Sequence, residues 1–143
     1  MATNAGNWSS LFEFSENSTD STTTERFGIG RNSNGNNLWF GMKEGGNYYQ
    51  ATKGSVDAQW HYITWSIDSL GNWTIYFDNV NQNASIQRKI PNTTYNYSYI
   101  LGSIQTTQSY TYIDDFRIYN KALSATEISD LAAAELSGTD INP

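Results

Sequence analysis

The sequence has no cysteine, one histidine and two prolines, and only 15% of its 143 residues are charged. Without cysteine the chain can form no disulfide framework, thiol nucleophile or cysteine-ligated zinc site. The single histidine, His61, excludes a zinc site built on two histidines of one chain. No apolar run reaches the roughly 18 residues of a membrane span. The first ten residues are polar, so we expect no signal peptide.

Charge and composition narrow the class further. The formal net charge is −6 and the isoelectric point is about 4.5, which predicts no nucleic-acid partner. The composition also predicts no membrane insertion. Aromatic residues make up 15% of the chain, too many for a disordered protein. With 16 Asn, 16 Ser and 15 Thr, the surface is predicted to be polar without being ionic. The length predicts a single domain over residues 1–143.

Two neighbouring segments predict a β-hairpin. Residues 60–67 alternate, with His61, Ile63, Trp65 and Ile67 on one face, the pattern of a half-buried strand. Residues 73–78 alternate in the same way, and the turn-forming sequence 69–72 lies between the two segments. The other predicted strands are 8–14, 26–29, 38–42, 48–51, 98–104 and 110–119. Many short strands joined by Gly- and Asn-rich turns predict an all-β sandwich or barrel.

One short helix is predicted near the C-terminus. Ser124 and Glu127 have the spacing of a capping box, in which the N-cap hydroxyl and the N3 carboxylate exchange hydrogen bonds with backbone N–H groups. Ile128 and Leu131 form a short apolar stripe, and Gly138 is the predicted end. The helix is too short to be stable alone, so we expect it to pack on the sheet.

Two stretches of sequence resemble a known family. Residues 60–68 (WHYITWSID) and 75–78 (IYFD) are similar to the central hairpin of the laminin-G-like, concanavalin A-like lectin/glucanase jelly-roll family. Residues 113–124, with Glu127 and Ile128, are similar to the closing strand and helix of that family. The resemblance implies an antiparallel two-sheet β-sandwich. The family's opening strands have no counterpart ahead of Trp8, which predicts either a fragment of a larger protein or a partner chain or oligomer that completes the sheet edge.

The resemblance also implies a calcium site. In the family an acidic residue at the position of Asp114 can join a calcium site, with calcium as the cofactor. Calcium needs about six to eight oxygens, and one carboxylate supplies one or two. The alternative is a carboxylate bonded to a loop backbone or paired with Arg117. Asp115 is predicted to point to the opposite strand face.

Aromatic residues divide into a predicted core and a predicted binding surface. Trp65, Trp73, Phe77 and Phe116 are assigned to the core, and His61 is expected to be a satisfied core residue. Aromatic rings beside amide and hydroxyl side chains suit sugar rings, because the apolar sugar face stacks and its hydroxyls form hydrogen bonds. The predicted ligand-binding residues are Trp39, Tyr48, Tyr95, Tyr97 and Tyr99. Tyr95, Tyr97 and Tyr99 are expected on one strand face. The alternative is that they support cross-strand packing.

No catalytic residues are predicted. A glycosidase needs two carboxyl groups flanking the bond, and Glu13 and Glu16 fall on opposite strand faces. The resemblance favours a non-catalytic recognition module that binds carbohydrate or cell-surface proteins. The alternative is a structural subunit of a virion, appendage or other surface assembly, and a lesser alternative is a polysaccharide hydrolase. The expected location is extracellular, on a cell surface or on a virion surface.

Overall fold

A computed structural model of the protein describes residues 9–19, 24–31, 37–55, 57, 59–82, 89–101 and 112–137. The elements are β1 (Ser9–Ser15), β2 (Arg26–Arg31), β3 (Asn37–Glu44), β4 (Asn47–Ser55), β5 (Ile63–Ile67), β6 (Trp73–Phe77), β7 (Val80–Asn81), β8 (Tyr97–Ile100) and α1 (Ala125–Leu136). The chain divides into two compact units. The first comprises Met1–Ala58 and Pro91–Phe116, and the second comprises Gln59–Ile90 and Arg117–Pro143.

The first unit contains a five-stranded antiparallel sheet in the order β4-β3-β2-β1-β8. Strands β3 and β4 form a hairpin whose turn holds Gly45 and Gly46 at φ values of 57° and 75°, a conformation that glycine adopts without a steric penalty. The buried apolar residues of this unit are Ile29, Leu38, Phe40, Met42 and Ala51. These residues come from β2, β3 and β4. Each of the three strands extends past the segment predicted for it.

The second unit contains a three-stranded antiparallel sheet in the order β5-β6-β7. The predicted hairpin is confirmed, since Trp65 lies opposite Ile75. Its loop is held by Asp68, whose Oδ1 accepts hydrogen bonds from the backbone N–H groups of Leu70 and Asn72 at 2.8 Å. In β6, Trp73, Ile75 and Phe77 are buried, so the predicted inward face is confirmed.

The turn between β6 and β7 uses two non-glycine residues in the left-handed region. Asp78 has a φ of 49° and Asn79 a φ of 64°, and Asn tolerates this conformation better than most residues. The Nδ2 group of Asn79 donates a hydrogen bond to Oγ of Ser129 in α1 at 3.0 Å. The helix is thereby bonded to the sheet of its own unit, as the sequence predicted.

Helix α1 begins with the predicted capping box. Ser124 Oγ accepts from the backbone N–H of Glu127, and Glu127 Oε2 accepts from the backbone N–H of Ser124. The hydrogen bond from the Lys121 ammonium, together with those from Ser124, lowers the pKa of Glu127 to about 2. Ile128 and Ala132 are fully buried. The helix ends at Leu136, and the predicted stop, Gly138, lies outside the described residues.

The predicted strand over 110–119 is wrong in its described part. Residues 112–119 form no strand, because Asp115 has a φ of 54°, incompatible with an extended run. The Asp114 carboxylate also accepts from the backbone N–H of Asp115 at 3.0 Å, a local bond that competes with a sheet ladder. Phe116, predicted as core, is 39% exposed, although its ring lies 5.2 Å from that of Phe12.

The predicted fold class is confirmed. The described strands form two antiparallel sheets, and one short helix lies near the C-terminus. Within the described part of the chain, no helix is long and apolar enough to span a membrane.

Candidate functional site

Strand register divides the residues of the five-stranded sheet between two faces. Residues paired across strands, and residues two apart along a strand, share a face. The apolar face comprises Phe12, Phe14, Phe27, Ile29, Leu38, Phe40, Met42, Tyr49, Ala51, Ser98 and Ile100, with Arg31, Glu44 and Asn47 at the strand ends. The polar face comprises Ser10, Glu13, Ser15, Arg26, Gly28, Gly30, Trp39, Gly41, Lys43, Tyr48, Gln50, Thr52, Tyr97 and Tyr99. Four of the five predicted ligand-binding residues therefore lie on the polar face.

The Trp39 indole covers Gly41 on the polar face. A Cβ atom built on Gly41 would be 2.4 Å from Cζ2 and 2.6 Å from Cε2 of Trp39, so the indole covers the position that the glycine leaves open. The indole N–H donates a hydrogen bond to Oε1 of Gln50 at 3.1 Å. This bond and the contact with Gly41 hold the indole over the glycine, and the Trp39 side chain stays partly exposed.

Tyr48 lies further along the β3–β4 hairpin, above two cations. Its ring lies 5.9 Å from Cζ of Arg26 and 5.6 Å from Nζ of Lys43, both within the range of cation–π attraction. Arg26 also donates a hydrogen bond to the Tyr48 hydroxyl at 3.2 Å. Arg26 and Lys43 are only 7% and 3% exposed, whereas Tyr48 is 57% exposed. The aromatic ring therefore faces solvent and the charges lie beneath it.

The three tyrosines predicted to share a strand face are separated in the structure. Tyr97 and Tyr99 lie on β8, opposite Ser15 and Glu13 of β1, and face the polar side. Tyr95 precedes β8, and its ring packs at 6.5 Å and 6.3 Å from Phe14 and Phe27 of the apolar face. The prediction of one stripe of three tyrosines is therefore wrong for Tyr95.

The surroundings of Tyr95 shift the pKa of its hydroxyl. Burial raises the pKa of its hydroxyl, and the nearby carboxylates of Glu44 and Glu25 raise this pKa further. Among the described residues the buried hydroxyl has no hydrogen-bond partner. A packed phenol in such surroundings stays neutral at physiological pH.

His61 is a satisfied residue, as predicted. Its Nδ1 lies 2.9 Å from Oδ2 of Asp78, and its ring packs 4.4 Å from that of Phe77. The second oxygen of Asp78 accepts from the backbone N–H of Tyr62 at 3.0 Å. The pair thus joins the entry of β5 to the end of β6 within one unit, which explains a lone histidine on an apolar face.

The described residues do not by themselves form a calcium site at Asp114. Its Oδ1 accepts from the neighbouring backbone, and Arg117 pairs with Glu135 at 2.7 Å. Across the described residues, no three His, Cys, Asp or Glu side chains gather in a way that could hold a metal ion. Because calcium requires about six to eight oxygens, a site here would need further ligands from elsewhere.

The two carboxylates weighed for glycosidase chemistry are held separately. Glu13 is buried on the polar face and accepts a long hydrogen bond of 3.5 Å from Ser10 Oγ. Glu16 follows the end of β1, and its carboxylate accepts from Asn17 Nδ2 and from the backbone N–H of Glu25. This arrangement differs from two carboxyl groups flanking a bound sugar.

Sequence reasoning missed Gly41 and Gln50, which fix the Trp39 indole. The spacing Trp39-x-Gly41 was a usable signal, because a glycine two positions along the same strand face leaves room for a large ring. Gln50 lies across the hairpin, opposite Gly41, so only the register could place it beside Trp39.

Comparisons with known proteins identify the family. The sequence model of Laminin_G_3, described as the concanavalin A-like lectin/glucanases superfamily, matches residues 1–129, which run through both compact units. A crystal structure titled as an S-layer domain-containing protein (residues 221–444) from Clostridium thermocellum ATCC 27405 is similar, with 26% identity and a TM-score of 0.47.

That similarity covers 90% of this chain and 64% of the other, so the chain spans under two thirds of it. The comparison with curated proteins found no match. The two antiparallel sheets and the short helix are consistent with a concanavalin A-like sandwich. Because the family model covers nearly the whole sequence, the chain belongs to the concanavalin A-like lectin/glucanase superfamily.

Proposed function

We propose that the chain is a non-catalytic recognition module that binds carbohydrate on the polar face of its five-stranded sheet. The observation that carries the proposal is the position of the Trp39 indole, which lies over Gly41 and donates a hydrogen bond to Gln50. Tyr48, Tyr97 and Tyr99 add further aromatic surface on the same face. A planar ring that is already immobilised loses little conformational entropy when a ligand stacks on it.

The chemistry of the surrounding groups supports sugars over other small ligands. A pyranose ring presents an apolar face that can stack on indole, and hydroxyls around its edge that need donors and acceptors. The exposed Gln50 and Thr52 side chains lie beside Trp39 and carry such groups. We propose an extracellular, cell-surface or virion-surface location, because a module that binds glycans would meet its ligand there.

A glycan array tests the proposal. We expect reproducible binding to one class of sugar, lost in Trp39→Ala and weakened in Tyr48→Ala. Trp60→Ala is the matched control, since Trp60 is 66% exposed but belongs to the other unit. Binding that survives Trp39→Ala, or that disappears equally in Trp60→Ala, would remove the polar face as the site.

A second candidate function is a structural subunit of a surface assembly, and strand β8 favours it. Tyr97 and Ile100 of this strand are 43% and 58% exposed, and β8 lies at the edge of the sheet formed by the described strands. An edge strand with exposed apolar side chains is suited to adding a strand from another chain. Light scattering distinguishes this function: a stable oligomer that dissociates in Ile100→Lys supports it, and a monomer at all concentrations argues against it.

A measurement of polysaccharide turnover tests the lesser alternative, a polysaccharide hydrolase. The superfamily description includes glucanases, so membership alone does not decide whether this chain is catalytic. We propose that the chain is inert, because Glu13 and Glu16 are held by separate partners. Release of reducing sugar from any member of a broad polysaccharide panel, abolished in Glu13→Gln, would reverse this assignment.

A further inference from the structure

The exposed groups at the β3–β4 end of the polar face are uncharged. Trp39, Tyr48, Gln50 and Thr52 are exposed or partly exposed there. The charged residues described on this face, by contrast, are at most 7% exposed; they are Glu13, Arg26 and Lys43. A ligand on this surface therefore meets aromatic rings, an amide and hydroxyls before it meets any ionised side chain.

Two aromatic platforms follow one another along the hairpin. The first is the Trp39 indole, which lies over Gly41, and Gly41 pairs with Gln50. The second is Tyr48, which is the diagonal cross-strand neighbour of Gly41 on the same face, and residues in this relation are about 7–8 Å apart. A spacing of this size lets each ring meet a sugar unit of its own.

The Gln50 amide between the platforms has a fixed orientation. An indole N–H can only donate, so the amide must present its oxygen to Trp39. The amide nitrogen, with two N–H donors, is then directed away from the indole. A sugar hydroxyl or ring oxygen is an acceptor that suits this group.

Charge opposes an anionic ligand at this surface. The chain carries a net charge of −6, which repels anions at long range. The two cations of the face are engaged by Tyr48, because Arg26 donates to its hydroxyl and Lys43 lies over its ring. A carboxylate or sulfate reaching either cation would first have to displace that ring.

We infer that the ligand is a neutral, linear oligosaccharide of at least two sugar units that runs along β3 and β4. One unit stacks on Trp39 and the next on Tyr48, with Gln50 donating to the chain between them. This inference rests on the proposed carbohydrate-binding function and adds the charge, the minimum length and the direction of the ligand.

Titration calorimetry with defined sugars tests the inference. The neutral probes are gluco- and manno-oligosaccharides of one, two and four units, and the anionic probes are oligogalacturonides and sulfated oligosaccharides. We expect the affinity for one neutral series to rise at least tenfold from one unit to four, with weaker binding of every anionic probe. Tyr48→Ala should remove most of that rise, whereas Tyr48→Phe should keep most of it.

The controls separate failure of the inference from failure of the proposed function. Tyr48→Leu keeps an apolar cover over the two cations, and melting curves verify that each variant folds. Equal affinity for one and four units, or tighter binding of an anionic probe, would overturn the inference while leaving carbohydrate binding intact. An absence of binding to every probe and every array sugar would overturn both.

Discussion

The contact between Trp39 and Gly41 predicts that the energetic cost of Gly41→Ala depends on whether the indole is present. A methyl group at residue 41 would lie 2.4 Å and 2.6 Å from two indole atoms, whereas carbon atoms in contact normally lie about 3.5–4.0 Å apart. Gly41 is not among the residues with positive φ, so its backbone is open to alanine. The steric conflict with the indole is therefore the main obstacle to Gly41→Ala.

The magnitudes follow from two opposing effects. Overpacking of this kind destabilises by about 1–3 kcal/mol, whereas replacing glycine at a compatible position stabilises by about 0.4–1 kcal/mol. Gly41→Ala should thus destabilise the wild type by about 1–2 kcal/mol. In the Trp39→Ala background the indole is gone and the tight contact of the added Cβ with the Tyr49 carbonyl at 3.0 Å remains, so the same substitution should cost at least about 1 kcal/mol less than in the wild type. The contact with the carbonyl is common to both backgrounds and cancels from the coupling free energy.

Urea unfolding of the four proteins in this cycle measures the coupling free energy. We expect a coupling of about 1–3 kcal/mol, well above the roughly 0.5 kcal/mol scatter of independent sites. Gly46→Ala is the matched control, because nothing lies within 4 Å of its added Cβ, and it should be additive with Trp39→Ala. Additive behaviour of Gly41→Ala as well would refute the placement of the indole over Gly41, and with it the platform on which the proposed function rests.

Four further outcomes are expected. Ser124→Ala removes the acceptor for the Glu127 N–H and should lower the free energy of unfolding by about 1 kcal/mol at pH 7; no change in the urea midpoint would contradict the cap. Because the pKa of Glu127 is lowered from 4.5 to about 2, the stabilisation from its carboxylate is present above pH 4.5 and is lost as the pH falls to 2. The difference in unfolding free energy between the wild type and Glu127→Gln should therefore close on acidification, and a difference that does not depend on pH would contradict this linkage. Because the pKa of Tyr95 is raised in the folded state, the protein should lose stability as the pH rises above about 10, and Tyr95→Phe should lose less; identical alkaline melting curves would exclude this linkage. If Asp114 joins a calcium site with ligands from elsewhere, calcium at millimolar concentration should raise the melting temperature and Asp114→Asn should abolish the rise; an unchanged melting temperature would contradict the site.

Local chemistry was readable from the sequence because it depends on neighbours along the chain. The alternation at Trp73, Ile75 and Phe77 predicted a buried strand face, and these three residues are buried. The Ser124–Glu127 spacing predicted the helix start correctly. The strand predicted over 110–119 was wrong in its described part because a single backbone angle, at Asp115, ended the extended run that alternation alone had suggested.

The proposed binding surface could be located only from the tertiary structure. Trp39, Tyr48 and Tyr97 could be named from the sequence as aromatic residues outside the core, yet composition does not reveal which of them share a face. That depends on the order β4-β3-β2-β1-β8 and on its register, since a shift of one residue in any strand would turn its side chains to the other face. The same register placed Tyr97 on the polar face, while Tyr95, just ahead of β8, packs against Phe14 and Phe27.

The sequence has few charged residues, and only the tertiary structure shows where they lie. Composition determined that the surface would be rich in amides and hydroxyls and that few ionised groups would be present. Tertiary structure decided that the cations of the polar face, Arg26 and Lys43, lie buried beneath the Tyr48 ring. Residues 26, 43 and 48 meet because long-range strand pairing brings three separate segments side by side, and no sequence-local preference encodes that arrangement.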